Sequence, residues 1–495
     1  MASFDLGTET VDMCDADRVV LTSYFTLSGK PVRLEVKHTR LTWRGEGQTE
    51  DCHVDWDDVI TAYLGGVSRG PGVKARVGVA PEEDRFTLHY IEHQKINILR
   101  HKHVTFIGQT GHLKEWLDIV ADKVGRGRPK RLLTIVNPVG GKKTGVSLYE
   151  TIVEPLFVLA GIDAQHIYTE RFRHAEEVAK TFDFTSVDGL VVSGGDGLMQ
   201  EVLQGLIPRY NKDLNLDDPD AQLKPLPVAL GALPTGTANG ISVASYGSRD
   251  VETGVLRIIQ GKKRHLNIAS VHGNPGALIG YSCFGVVYGR LAEMVKKTVN
   301  NRWMKTFRYP AEVVRSLVWK TRELQVDGEY LPARTPVKDI RSKKDQGGSV
   351  SPDGWVKFSG LYTCVHGRLG GFHKVEGRSK LQFDQEGQSM NLFLWRRTGR
   401  LAFFKWIIGF IKLRADTLDA ECIEDRYVQA YRFRVGGLEG GGERVSCSET
   451  GPDGAESDYL VIDGEVRHMT SNGLEIRIHR HLAEFFGTTF DDWSY

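Results

Sequence analysis

The chain has 495 residues, which is too long for one compact core and predicts two or three domains. Its formal net charge of +1 excludes the strongly basic balance of nucleic-acid-binding proteins, so we expect no nucleic-acid partner. The six cysteines are scattered without a CxxC pair, which is typical of reduced thiols rather than of disulfides or a zinc site. A polar, acidic N-terminal sequence without a leader pattern, and the lack of a long apolar run, predict a cytoplasmic location.

Residues 1–125 read as a β-rich accessory domain that ends in one helix. Short alternating runs such as VRLEVKHTRLTWRG and FTLHYIEH predict strands, and His112–Val124 has helical spacing of its apolar residues. Several strands followed by a helix suit either a pleckstrin-homology-like (PH-like) module or a plain β domain, and the pattern does not separate the two. The glycine-rich, basic segment 125–129 predicts a boundary.

From Arg131 the pattern alternates between strand and helix, and predicts an α/β nucleotide-binding domain with a parallel sheet over residues 126–265. Ligands in such sheets lie at the carboxyl ends of the strands. The remaining residues, 266–495, read mostly as β and predict a third, β-rich domain packed against the second with a cleft between them. Residues 333–354, rich in charge and poor in apolar residues, predict a loop insertion.

The most informative segment of the α/β domain is the sequence VVSGGDGLMQEVLQGL. A β-branched strand stops at Gly194-Gly195-Asp196-Gly197, and a helix pattern begins at Leu198. This geometry presents backbone N–H groups to phosphate at a helix N-terminus. The acid inside the turn would repel a bare phosphate, so it would either accept a substrate proton or hold Mg²⁺. The alternative is an ordinary tight turn with Asp196 as the N-cap.

Two further turns of the same type follow strands of the predicted sheet. Asn137–Lys143 (NPVGGKK) has two lysines on a glycine turn, and Leu233–Gly240 (LPTGTANG) offers N–H groups and threonine hydroxyls. The alternatives are a basic surface turn for the first, and for the second a turn in which Asn239 is only an N-cap.

Three segments of the predicted third domain have residue types that suit a phosphate or lipid site. Arg302 and Arg308 suit the charge on a transferred phosphoryl group, or form a solvated basic segment. Asp463 and Glu465 suit Mg²⁺, or a surface turn. The apolar stretch Leu401–Leu413, bracketed by basic residues, suits a membrane surface or the wall of a lipid pocket, or is a buried core helix.

Together these motifs resemble the diacylglycerol-kinase-type lipid kinases, and most closely the sphingosine (sphingoid long-chain base) kinases. The resemblance is co-linear from about Arg131 to Glu465. It implies an α/β domain that binds ATP, a β-sandwich domain that binds lipid, and peripheral association with membranes. The implied activity is transfer of phosphate from ATP to the primary hydroxyl of a sphingoid base (sphingosine, sphinganine or phytosphingosine), with Mg²⁺.

The resemblance also implies the site residues. Asp196 would be the general base, and the substrate headgroup would meet Gly194, Gly195, Asp196, Gly197 and Leu198. Contacts to ATP would come from Asn137, Pro138, Val139, Thr169, Glu201, Gly236, Thr237, Ala238, Arg302, Arg308, Asp463, Gly464 and Glu465. Mg²⁺ would be held by Asp463 and Glu465, and Leu401–Leu413 would be the helix that gates the lipid pocket.

Two departures from the family pattern leave the substrate open. Val139 stands where the family often has a basic residue. Family members carry acidic residues after Gly285 that contact a sphingoid amino group, whereas the only carboxylate of Val286–Glu293 is Glu293, slightly displaced. Arg290 in that segment would disfavour an ammonium headgroup. Ceramide or diacylglycerol phosphorylation and a catalytically silent lipid-binding homologue are therefore alternatives. An NAD kinase shares the GGDG turn, but the apolar stretch speaks against it.

Overall fold

In the computed structural model, a β-rich N-terminal domain, an α/β domain and a second β-rich domain follow one another along the chain. The structure describes residues 18–65, 85–95, 97–108, 110–125, 127–140, 144–237, 239–274, 276–300, 308–315, 323–333, 350–369, 371–374, 381–384, 389–411, 420–436, 459–469 and 473–488. Among these residues, no helix is both long enough and apolar enough to cross a membrane.

The N-terminal domain is an antiparallel sheet closed by one helix, as the sequence predicts. Its strands pair in the order β4-β3-β2-β1-β7-β6-β5. They are β1 (Val19–Leu27), β2 (Lys30–Lys37), β3 (Arg40–Gly45), β4 (Cys52–Asp55), β5 (Val59–Leu64), β6 (Arg85–Lys95) and β7 (Ile98–Ile107). Helix α1 (Thr110–Val124) buries Leu113, Trp116 and Val120 against the aromatic core of this sheet. A PH-like assignment stays a prediction.

The α/β domain contains the predicted parallel sheet. Its strands lie in the order β11-β10-β8-β9, and each neighbouring pair is parallel. They are β8 (Arg131–Val136), β9 (Asp163–Tyr168), β10 (Gly189–Gly194) and β11 (Ala229–Pro234). Because β8, β10 and β11 are buried on both faces, they read as nearly continuous apolar runs, whereas β9 at the edge of the sheet is more polar and partly exposed.

Helices cover both faces of this sheet. The predicted helix at Leu148–Ala160 is a helical run that starts earlier, with α2 (Gly145–Leu148), one π-helical segment (Tyr149–Val153) and α3 (Glu154–Leu159). The others are α4 (His174–Thr181), α5 (Asp196–Tyr210), α6 (Gly240–Tyr246) and α7 (Val251–Gln260).

The second β-rich domain is joined to the parallel sheet of the α/β domain through backbone hydrogen bonds. The described strands continue in the order β23-β22-β14-β17-β20-β21-β24-β11; β12 pairs with β24 and with β13, and β15 pairs with β21 and with β16. They are β12 (Lys263–Gly273), β13 (Leu278–Ser282), β14 (Gly285–Gly289), β15 (Leu324–Pro332), β16 (Val356–Tyr362), β17 (Cys364–Leu369), β20 (Met390–Trp395), β21 (Ile423–Val435), β22 (Tyr459–Ile462), β23 (Glu465–His468) and β24 (Gly473–Phe486). Two further strands, β18 (Gly371–Lys374) and β19 (Leu381–Asp384), pair with each other in a separate sheet. The predicted sandwich and the domain boundaries stay predictions.

Three helices lie on this domain: α8 (Arg290–Asn300), α9 (Arg308–Arg315) and α10 (Arg400–Ile411). Helix α10 contains most of the apolar stretch, and it buries Phe403, Trp406 and Ile407 in a cluster with Phe393 and Trp395. On this face, the apolar stretch is a buried core helix, which was one of the two alternatives. On the other face of α10, Leu401 is 72% exposed and Lys405 is exposed beside it.

Candidate active site

Two of the three predicted glycine turns, those at Gly194–Gly197 and Leu233–Gly240, are in direct backbone contact. A Cβ on Gly236 would overlap the Cα of Gly195, and a Cβ on Gly195 would lie 3.4 Å from the Cα of Gly236. Ser193 directly precedes Gly194, and Thr235 directly precedes Gly236. Their hydroxyl oxygens lie 3.4 Å apart. The carboxyl ends of β10 and β11 thus bring the predicted phosphate turns together, as expected for neighbouring parallel strands.

Asp196 lies where these turns meet and is 8% exposed. It is the first residue of α5, yet its carboxylate caps a different helix. Its oxygens accept hydrogen bonds from the backbone N–H groups of Gly240 and Ile241 at the start of α6, each at 3.0 Å. The ordinary N-cap alternative for Asp196 is therefore wrong, since the N-cap of its own helix is Gly195.

The environment of Asp196 shifts its proton affinity in two directions. Burial raises the pKa of Asp196, whereas the Ile241 and Gly240 N–H groups and the positive charges of Arg249 and Arg368 lower it. The net effect is a raised pKa, which suits a group that accepts a proton near neutral pH.

Asn239 stabilises the second turn instead of capping α6. It adopts a left-handed backbone conformation with φ of 54°, and its Oδ1 accepts from the Gly236 N–H at 3.0 Å. Its amide nitrogen donates to the carbonyls of Pro234 and Gly236. The turn is thereby held by its own side chain, and Asp196 supplies the cap that Asn239 does not.

The predicted ATP contacts at the first turn lie along the same edge of the sheet. The Asn137 N–H donates to the Ser193 carbonyl at 3.0 Å, and the Thr169 N–H donates to the Val136 carbonyl at 2.9 Å. Val139 is 71% exposed, and its N–H donates to the side chain of Asn137. Lys142, Lys143, Ala238 and Arg302 lie outside the described residues, and of Arg308 the structure describes only its position at the start of α9.

Two carboxylates approach the GGDG turn and fit a divalent cation. A Cβ on Gly197 would lie 2.5 Å from Oε1 of Glu465. Glu201, one helical turn further along α5, has an Oε2 that is buried without a hydrogen-bond partner. Burial raises the pKa of Glu201, and so does the negative charge of Glu465, whereas backbone N–H groups of Arg173 and Ala175 that bond to its carboxylate lower it. An unpartnered buried oxygen beside a second carboxylate is a setting that Mg²⁺ would stabilise.

The side chains of Asp463 and Leu198 make contacts other than those predicted with Mg²⁺ and the lipid headgroup. The Asp463 carboxylate accepts hydrogen bonds from the Ser282 hydroxyl at 2.6 Å and from the N–H groups of Cys283, Phe284 and Gly285 at 2.8–2.9 Å. Asp463-Gly464 is indeed a hairpin turn, with Gly464 exposed, but Asp463 is buried and anchors the β13–β14 connection. Leu198 packs in the α/β core and against Gly194. Metal binding by Asp463 and headgroup contact by Leu198 stay predictions.

The sequence did not reveal the groups that the second β-rich domain brings close to Asp196. Arg368 on β17 is 4% exposed, and its Cζ lies 4.2 Å from the centre of the Phe284 ring. That ring fills the space where a Cβ on Gly240 would lie. The available signal was His366 and Arg368 at alternate positions of an otherwise apolar run, which places both side chains on one face of a buried strand.

The α/β part of the chain is similar to a known catalytic domain. Residues 131–271 match the family model described as the diacylglycerol kinase catalytic domain. This match is limited to the α/β part of the chain.

Relatives extend the similarity beyond this domain. Human ceramide kinase is 27% identical over 458 residues, which covers 82% of this chain and 83% of that protein. Sphingosine kinase 1 of Arabidopsis thaliana is 32% identical over 190 residues, which covers 38% of this chain and 37% of that protein. A solved diacylglycerol kinase from Bacillus anthracis str. Sterne covers 73% of this chain and 97% of its own, with 16% identity and a TM-score of 0.46.

Proposed function

We propose that the chain is an ATP-dependent lipid kinase that phosphorylates a primary hydroxyl group. The observation that carries this proposal is the buried Asp196 carboxylate, fixed by two backbone N–H groups at the contact between two glycine turns. The match of residues 131–271 to a lipid kinase catalytic domain and the kinase relatives support it.

The proposed reaction needs one proton acceptor and fixed positions for the two substrates. The lipid hydroxyl oxygen attacks the γ-phosphorus of ATP, its proton passes to the Asp196 carboxylate, and the bond to the ADP oxygen breaks. The raised pKa of Asp196 makes it a stronger base than an exposed aspartate. N–H groups of the turns at Gly195 and Gly236 would bind phosphate oxygens.

For the metal, we propose Glu201 and Glu465 as the residues that would hold Mg²⁺. When bound, the ion would neutralise charge on the phosphates. Glu201 has the buried oxygen without a hydrogen-bond partner, and Glu465 lies against Gly197. Asp463 would act one step away, because its hydrogen bonds fix the turn from which Glu465 projects.

Two lipid classes are candidates for the acceptor. A sphingoid base, which would yield its 1-phosphate, is favoured by the motifs shared with sphingoid base kinases. Ceramide or diacylglycerol is favoured by the segment Val286–Glu293, whose only carboxylate is the displaced Glu293. The similarity to human ceramide kinase over 82% of the chain also favours these lipids.

The deciding experiment combines Asp196→Asn with a panel of lipids. We expect transfer of labelled phosphate from ATP to at least one of sphingosine, phytosphingosine, ceramide and diacylglycerol in mixed micelles. Asp196→Asn should lower kcat by about 10²–10⁴-fold, since an amide cannot accept the proton. Asp213→Asn, at an exposed position of the same domain, is the matched control and should leave kcat unchanged. Near-normal turnover by folded Asp196→Asn would refute the assignment of the base.

We also propose peripheral contact with membranes, through the exposed edge of α10. Leu401 and Lys405 are exposed there, next to the exposed Arg400. An apolar side chain between basic ones suits the boundary between lipid headgroups and acyl chains. Phe403 and Trp406, on the opposite face, are core residues and would not take part.

A further inference from the structure

One face of strand β17, in the second β-rich domain, carries polar side chains and leads toward Asp196. On β17, Cys364, His366 and Arg368 alternate with residues that pack in the domain core, so these three side chains share the other face. His366 packs near Phe393, and Cys364 lies in the cluster that holds α10. The strip therefore runs from the α10 cluster, which is apolar, to Arg368 near Asp196.

Arg368 reaches Asp196 through a continuous set of contacts. Its guanidinium stacks on Phe284, the Phe284 ring packs on Gly240, and the Gly240 N–H donates to the Asp196 carboxylate. Burial lowers the pKa of Arg368 well below its usual value, and the negative charge of Asp196 opposes this shift. Because arginine keeps its proton in proteins, this is a fixed positive charge beside the base.

The neighbouring groups leave that charge in place. Burial lowers the pKa of His366 to about 3, so its ring is neutral at physiological pH. Arg249 adds a second positive charge that acts on both Asp196 and Arg368. Asp196 is one group that could pair with a cationic headgroup, and Arg249 and Arg368 offset its charge. Glu465 approaches the same turn at Gly197, where we propose that it would hold Mg²⁺.

We propose that Arg368 is a specificity-determining residue that selects lipids without an ammonium group next to the reacting hydroxyl. This inference rests on the proposed lipid kinase function. A free sphingoid base has its protonated amine on the carbon adjacent to the one that bears the hydroxyl, and like charges brought together in a buried site are strongly disfavoured. An acylated amine or an ester is neutral there, and its carbonyl oxygen can accept from guanidinium N–H groups.

The test compares kcat/KM for ceramide and for the free sphingoid base in the same micelles, with the full-length chain. The unmodified protein should prefer ceramide. Arg368→Met, which keeps the length of the side chain without its charge, should lower this preference on the order of tenfold. It should also move the acidic limb of the pH–rate profile to higher pH, because loss of a positive charge raises the pKa of Asp196. A purely structural role would not move that limb.

Arg209→Met is the matched comparison, because Arg209 also stacks on a phenylalanine, Phe184, at 5.4 Å, but lies at the opposite end of α5 from Asp196. It should leave the preference unchanged. A shift at Arg209 but not at Arg368, or an unmodified enzyme that is active on both lipids equally, would overturn the inference. An unmodified enzyme that phosphorylates none of the lipids would instead contradict the proposed function.

A measurement on the unmodified protein covers the case in which Arg368→Met does not fold. Raising the pH toward about 9 removes the proton from part of the amine population. The kcat/KM for the free base should then rise relative to that for ceramide. A ratio that stays constant over this range would show that the ammonium charge is not what is rejected.

Discussion

At the scale of single residues, the contact between Gly195 and Gly236 sets how closely the two phosphate turns approach. Each glycine occupies a position where a side chain would reach the backbone of the other turn. The turns that follow two neighbouring strands can therefore approach each other closely enough to share one small site. A side chain larger than that of glycine at either position would prevent this approach.

Gly236→Ala should separate the turns. Overpacking at a buried contact costs about 1–3 kcal/mol, and the displaced N–H groups should raise the KM for ATP more than the KM for lipid. Thermal unfolding and steady-state kinetics measure the two effects. Gly399→Ala is the control, since a Cβ there meets no atom within 4 Å. Equal effects of the two substitutions would mean that the contact between the turns is unimportant.

Also at this scale, Asp196 and Asn239 exchange the tasks that their positions suggest. Asn239 precedes α6 but binds its own turn, and Asp196 begins α5 but caps α6. The sequence singled out both residues. It could not assign their partners, because the capping bonds join residues 44 and 45 positions apart.

At the scale of elements, α7 connects the N-terminal domain to the active-site edge. The β6–β7 hairpin lies on its first turn, where Arg100 forms paired hydrogen bonds with Asp250 and the Leu99 N–H donates to Thr253. Asp250 also caps α7 by accepting from the Thr253 N–H at 2.9 Å. The same helix packs on Leu233 and Pro234, which lead into the Gly236 turn.

Asp250→Ala should therefore cost more than an ordinary helix cap. We expect a loss of about 2–4 kcal/mol in unfolding free energy, because a cap and a partly buried charged pair are removed together. Chemical denaturation measures it. Asp183→Ala is the matched control, because Asp183 makes the same bonds to a threonine two residues on but is exposed and makes no contact between domains. Its loss of unfolding free energy should be clearly smaller than that of Asp250→Ala, and equal losses would contradict a docking role for Asp250.

At the scale of the whole molecule, β24 joins the second domain to the catalytic sheet. Its first half pairs with β21, its full length pairs with β12, and Phe485 pairs with Leu230 of β11. Phe486 is fully buried in the α/β core and packs over Gly189. Residues near the end of the described chain therefore complete the domain that carries Asp196.

Phe486→Ala should destabilise both domains. Removing a buried phenylalanine costs about 3–5 kcal/mol, and β24 shares its hydrogen bonds with strands of each domain. Hydrogen exchange should accelerate in β10 and β11 and also in β12 and β21. Phe25→Ala, a comparable deletion in the N-terminal sheet, should accelerate exchange within that sheet instead. Acceleration limited to the α/β strands after Phe486→Ala would show that the two domains unfold independently.

The sequence by itself determined the order of strands and helices, the glycine turns and the acid at Asp196. These follow from local patterns: apolar periodicity, β-branched runs and glycine placement. The parallel sheet then follows from the alternation of strand and helix, which places the predicted turns along one edge.

Only the tertiary structure decided what surrounds Asp196. The cap on α6, the approach of Glu465 to Gly197, the inward anchoring of Asp463 and the stacking of Arg368 on Phe284 all join segments far apart in the chain. No local pattern encodes such contacts, because they depend on how the second domain closes over the sheet through β24. The sequence thus located Asp196, and packing between domains set the charges that surround it.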